Sequence, residues 1–128
     1  MERNTLILVA DDEPLVRAAH RYLLEELGYG VVEAADGERA AELALKHRFF
    51  AICIDVDMPK LSGIETTRKI RQHENPSKNS LIIGISSLSE TERHNCLGAG
   101  MDAVLNKPVP IDSLTAILSH NKPVKIAC

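Results

Sequence analysis

Five short apolar runs punctuate the chain: Leu6–Ala10, Val31–Ala34, Ala51–Asp55, Leu81–Ile85 and Ala103–Leu105. Runs of this length, closed by turn residues, are the pattern of strands covered on both faces. Between them the apolar positions recur at helical spacing. Leu15, Val16, Ala19, Leu23, Leu24 and Leu27 mark a first helix, opened by Pro14 and closed by Gly28, residues suited to those two positions. After the Asp36-Gly37 turn, Ala40, Leu43 and Ala44 mark a second helix running to about His47. Ile64, Thr67 and Ile70 mark a third, and His73–Ser80 reads as a polar loop without periodicity. Ser89 and Glu92 have capping-box spacing for a fourth helix, which runs out at Gly98 or Gly100. A last helix starts near Ile111 and carries Leu114, Ile117 and Leu118.

Strands alternating with helices in this way predict an α/β domain. Parallel strands need crossover connections, and right-handed crossovers wrap a parallel sheet on both faces. The expected architecture is therefore a doubly wound, five-stranded parallel sheet in a three-layer α/β/α sandwich, over residues 1–120, with 121–128 as a C-terminal tail. A chain of 128 residues buries roughly two-thirds of the surface it exposes when unfolded, enough for one self-sufficient core.

Composition narrows the function classes. Aromatic residues are only 3% with no Trp, so the core is aliphatic and surfaces for stacking on bases are nearly missing. A net charge of -3 argues against direct binding to nucleic acid, which needs a basic face. Cys53, Cys96 and Cys128 are odd in number and form no C-x-x-C pair, which fits a reducing, cytoplasmic compartment better than a disulfide or zinc framework. No run approaches the ~20 apolar residues of a membrane span.

The candidate chemistry sits where the strands end. Asp11, Asp12 and Glu13 follow the first strand, Asp55 closes the third, Ser86 follows the fourth and Lys107 the fifth. In an open parallel sheet all of these fall on one rim, the edge at which ligands bind. Clustered carboxylates without His or Cys suit a hard cation, above all Mg²⁺. Lys107 and the Ser86 hydroxyl offer a charge and a donor to a phosphoryl group, and Asp55 is placed as a carboxylate nucleophile that would form an acyl phosphate. Singly, Asp11 and Asp12 also read as helix-capping acids and Lys107 as a solvated lysine; their coincidence with Asp55 and Ser86 favours function. Glu13 reads as a cap. The five histidines, at scattered spacings, are assigned no chemistry, and Glu25, Glu26, Glu33, Glu38 and Glu42 read as solvated faces.

The stretches L-I-L-V-A-D-D-E-P, D-V-D-M-P-K-L-S-G, I-I-G-I-S-S, G-A-G-M-D-A and N-K-P, in that order, resemble the receiver domains of two-component signalling. The resemblance implies a flavodoxin-like strand order 2-1-3-4-5 and a Mg²⁺-dependent phosphoacceptor. By resemblance Asp55 is that acceptor, Asp12 a direct and Asp11 a water-mediated metal partner, and Asp57 a ligand through its backbone carbonyl. Ser86 is the switch hydroxyl and Lys107 the phosphoryl ion pair. The resemblance also implies a cis Lys107-Pro108 peptide and a sensor histidine kinase or histidine phosphotransfer protein as partner, docking on the first helix through Val16, Ala19, His20 and Leu23. The last motif is similar to receivers fused to sensor kinases, so an excised hybrid-kinase receiver and a stand-alone regulator both remain open.

Three positions depart from the family pattern. Val104 stands where Tyr or Phe is usual, Ser87 where Ala is usual, and Asp57 adds a carboxylate two residues after the acceptor. The alternatives are a phosphorylation-independent binding module, or a haloacid-dehalogenase-like phosphatase using the Asp55-Val-Asp57 pair. Against the phosphatase stand Met58-Pro59 and the lack of room for a cap domain.

Overall fold

The computed structural model describes residues 5–87 and 90–121, except the side chains of residues 90 and 91. Its strands are β1 (Leu6–Ala10), β2 (Gly30–Ala34), β3 (Ala51–Asp55), β4 (Leu81–Ser86) and β5 (Ala103–Asn106). The helices are α1 (Pro14–Glu26), α2 (Gly37–Lys46), α3 (Gly63–Gln72), α4 (Glu90–Ala99) and α5 (Ile111–His120). All strand pairs are parallel, in the order β2-β1-β3-β4-β5. Each predicted strand is present, extended by one residue at β2, β4 and β5. Of the expected tail only Asn121 is described, capping α5; Ser89, half of the expected capping box, lies outside the described residues.

The alternation of side chains along each strand divides the core into two layers. Leu8, Ala10, Ile52, Ile54, Ile82 and Val104 face the layer closed by Ala40 and Ala44 of α2, Ile70 of α3 and Cys96 of α4. Ile7, Val9, Val31, Cys53, Ile83 and Ile85 face the other, closed by Leu24 of α1 and by Leu114 and Leu118 of α5. Each Leu, Ile or Val among them, when fully buried, contributes roughly 1.5–3 kcal/mol. Helix α1 is the surprise: only Leu24 of its apolar positions is buried, while Leu15 is 86% and Tyr22 64% exposed. Its apolar spacing therefore serves the core at one position and faces solvent at several.

The loops opposite the acidic rim are tied together by side chains that pattern reading passes over. Ser77 accepts from the Phe49 N–H at 3.0 Å and donates to the His47 carbonyl, and Ser80 donates to the Phe49 carbonyl. Arg71, in the last turn of α3, donates to the carbonyls of Lys78, Ser80 and Gly100 at 2.8, 2.7 and 2.9 Å and to Asp102 Oδ2 at 2.9 Å. Asp102 also accepts from the Ile82 N–H at 2.8 Å. The stretch expected as a polar loop is a loop without helix or strand, pinned by two buried serines, Ser77 and Ser80.

Candidate phosphoacceptor site

Register assembles the site. Ala10 pairs with Ile54, so Asp11 leaves β1 beside Asp55 at the end of β3; Asp55 pairs with Ile85, so Ser86 lies one residue further on β4; Ser86 pairs with Asn106, and Lys107 follows. One oxygen from each of Asp11, Asp12 and Asp55 lies within 4.8 Å of the others. Lys107 Nζ is 3.1 Å from Asp55 Oδ2 and 4.0 Å from Asp11 Oδ2. The Lys107 N–H donates to the Ser86 carbonyl at 2.9 Å, which fixes the start of the lysine loop, and the Lys107-Pro108 peptide is cis.

Local sequence explains why the acceptor loop holds this shape. Ser62 caps α3, accepting from the Glu65 N–H at 3.1 Å while Glu65 accepts from the Ser62 N–H at 3.0 Å, a reciprocal capping box. It lies in the S-G-I-E stretch, whose spacing signals it. Gly63 then packs on the acceptor strand itself: its N–H donates to the Val56 carbonyl at 2.8 Å, and a Cβ there would lie 2.6 Å from the Asp55 carbonyl oxygen. Glycine is needed here for close approach, not for turning. Lys60 occupies the left-handed region at φ 71 and its Nζ is 3.6 Å from Asp36 Oδ2.

Burial and charge oppose each other at Asp55. Desolvation raises its pKa above the ordinary 3.8, against the Lys107 hydrogen bond and the Asp57 N–H, which donates to Asp55 Oδ1 at 3.1 Å. For Lys107 burial works against the charge, but the Asp55 bond and the charges of Asp55, Asp11 and Glu13 outweigh it and its pKa is raised. His20, half-buried on α1, has its pKa lowered by burial; the charge of Asp11 acts to raise it and that of Lys107 to lower it.

The predicted residues fall as follows. Asp11, Asp55 and Ser86 are buried at the rim, Lys107 is half-buried and Asp12 is exposed. Glu13 occupies the N-cap position of α1 without a capping side-chain bond; instead its N–H donates to Asp11 Oδ1 at 2.9 Å. Asp57 and Ser87 are exposed, and Val104 is buried in the core layer under α4. Glu33, expected on a solvated face, is held between two guanidinium groups, Arg17 Nε at 2.8 Å and Arg21 Nη1 at 2.7 Å. The signal for it was the i, i+4 pair Arg17 and Arg21 on a helix that must lie over the strand carrying Glu33.

Magnesium fits the Asp11, Asp12 and Asp55 oxygens, which are hard donors close enough to share one small cation. A buried carboxylate beside a lysine and two further carboxylates, at the carboxyl edge of a doubly wound sheet, has the chemistry that a phosphoryl group accepted on aspartate would need. The chain matches the response regulator receiver domain over residues 7–119 and belongs to that family. It is 36% identical over 115 residues to the sensor protein EvgS of Escherichia coli, covering 89% of this chain and 9% of EvgS. To the two-component response regulator ARR22 of Arabidopsis thaliana it is 32% identical over 121 residues, covering 89% of this chain and 81% of ARR22. Among solved structures it is similar to the receiver domain of sensor histidine kinase PA1611 from Pseudomonas aeruginosa, with a magnesium ion coordinated in the active-site cleft. That likeness has a TM-score of 0.83 at 36% identity and covers 91% of this chain and 96% of the other. Membership in the family disposes of the phosphatase alternative. No helix among the described residues is long and apolar enough to cross a membrane.

Proposed function

We propose that Asp55 is the phosphoacceptor of a His-Asp phosphorelay, taking its phosphoryl group from the phosphohistidine of a sensor kinase or histidine phosphotransfer protein. The observation that carries this reading is the Asp55 carboxylate, buried, 3.1 Å from Lys107 and clustered with Asp11 and Asp12. An Asp55 oxygen attacks phosphorus, the N–P bond breaks, and its electron pair leaves with the imidazole. Lys107, already bonded to Asp55, follows the negative charge onto the phosphoryl oxygens, and the Ser86 hydroxyl donates to one of them. Asp11, Asp12, Asp55 and the backbone carbonyl of Asp57 would hold magnesium. When bound, the metal neutralises charge on carboxylate and phosphoryl oxygens.

The output follows from Val104. It is buried and aliphatic, so no ring is there to swing between an exposed and a buried position. That favours onward phosphotransfer over a switch of the α4-β5-α5 face. The exposed apolar side of α1 gives the phosphodonor a docking surface close to the Asp11–Glu13 turn. Similarity to the sensor protein EvgS, of which the chain spans 9%, and to the receiver domain of a sensor histidine kinase supports a hybrid-kinase origin; similarity to ARR22 keeps a separate regulator as the second reading.

Intact-mass analysis after incubation with acetyl phosphate tests the acceptor. The expected result is a magnesium-dependent gain of one phosphoryl group, lost in Asp55→Asn. A gain that survives in Asp55→Asn would refute the assignment.

A further inference from the structure

Arg17 reaches back from the first turns of α1 to the turn that carries the metal carboxylates. Its Nη1 donates to the Asp11 carbonyl at 2.8 Å and its Nε to Glu33 Oε1 at 2.8 Å, with the side chain 18% exposed. Glu33 shares its face of β2 with Val31, the face covered by α1, and its other oxygen accepts from Arg21 at 2.7 Å. The Arg17 guanidinium is therefore oriented by an edge strand while it grips the peptide that joins Asp11 to Asp12.

That peptide matters because the two aspartates are held differently. Asp11 is fixed by its own N–H, which donates to the Ala34 carbonyl at 3.1 Å, and by its carboxylate, which accepts from Glu13 at 2.9 Å. Asp12 is exposed, and among the described residues no hydrogen bond holds its carboxylate. Its direction follows from the peptide plane before it. Turning that plane would swing the Asp12 oxygen away from those of Asp11 and Asp55.

We propose that Arg17 is a positioning residue for magnesium, presetting the Asp12 carboxylate by holding the Asp11 carbonyl. The proposal rests on Asp11 and Asp12 being magnesium carboxylates, and the test separates the two claims. Magnesium is titrated calorimetrically into the whole chain as wild type, Arg17→Met, Glu33→Gln and Asp12→Asn. Arg17→Met keeps the aliphatic stem and removes the donors; magnesium binding is expected to weaken about tenfold, the scale for losing a group that orients a metal ligand. Glu33→Gln removes the ion pairs but leaves an amide oxygen for Arg17; it lowers the melting temperature yet keeps the magnesium Kd within about twofold. Asp12→Asn loses binding. A wild-type Kd in Arg17→Met, or equal weakening in Arg17→Met and Glu33→Gln, would show that Arg17 only ties α1 to β2 and overturns the proposal. Wild-type binding in Asp12→Asn removes the carboxylate assignment and the proposal with it. If Arg17→Met does not fold, Arg17→Lys keeps the charge without the fork and is judged by the same Kd criterion.

Discussion

Gly63→Ala puts one methyl group where the structure has no room for it. The Cβ would lie 2.6 Å from the Asp55 carbonyl oxygen and 2.8 Å from the Val56 Cα, both main-chain atoms that no rotamer change can move. Forcing extra volume into packed structure costs about 1–3 kcal/mol. Alanine recovers part of that by its helix propensity, at most ~1 kcal/mol in a helix interior and less at the first position of α3. A net loss of about 1–2 kcal/mol remains, lowering the melting temperature of a domain this size by roughly 4–8 °C. Relief requires α3 to back away from β3, which lengthens the 2.8 Å bond from Gly63 to Val56 and shifts the acceptor loop. Phosphorylation by acetyl phosphate is then expected to slow about tenfold or more, as misplacements near 1 Å do in other sites. Guanidinium denaturation followed by circular dichroism measures the first effect, and intact mass against time the second. Gly98→Ala is the control, because among the described residues nothing beyond its chain neighbours and its own helix backbone lies within 4 Å of the added Cβ; it should be neutral or stabilising by up to ~1 kcal/mol. If Gly63→Ala is as stable as wild type, or Gly98→Ala loses as much, close approach is not what selects glycine at position 63.

Other perturbations probe the site and the far pole. Desolvation raises the Asp55 pKa, so the folded chain takes up that proton more readily than the unfolded one. The resulting stability is complete below the ordinary 3.8 and is lost as pH rises through the raised value. In metal-free buffer Asp55→Asn should therefore gain stability over wild type as pH rises from about 4 towards 7, and a gap independent of pH would refute the burial argument. Asp57→Asn is expected to lengthen the acyl-phosphate lifetime about threefold or more by removing a base two residues from the acceptor; an unchanged or shortened lifetime, read by intact mass during decay, removes that role. Arg71→Met leaves the carbonyls of Lys78, Ser80 and Gly100 without their donor and should cost about 2–3 kcal/mol in a urea melt. A loss below about 0.5 kcal/mol would mean that water replaces the guanidinium without penalty.

What could be read from the residues alone follows from which forces leave a periodic trace. Strands such as Ile52–Ile54, buried on both faces, must be apolar throughout, and helices such as α5 must repeat an apolar face, so elements and order were legible. The rim was legible too, because Asp11, Asp55, Ser86 and Lys107 each sit at the end of a strand, and parallel register carries all those ends to one edge. Contacts between a side chain and a distant main chain leave no such trace. Ser77, Ser80 and Arg71 look like ordinary polar residues until the two serines are seen on the His47–Phe50 loop and the arginine on the carbonyls of Lys78, Ser80 and Gly100. Helix α1 misleads in the other direction: its leucines repeat as a core face would, yet Leu15 and Tyr22 are exposed, since hydropathy alone cannot tell a core position from an apolar one left at the surface.

The clasp made by Ser77, Ser80 and Arg71 also has a mechanical meaning. Loosening any one of the loops at that pole means breaking several bonds at once, some of them to a guanidinium. The connections that lead into β3, β4 and β5 are therefore tied to one another at that pole, so that a substitution in one of them is felt by the other two.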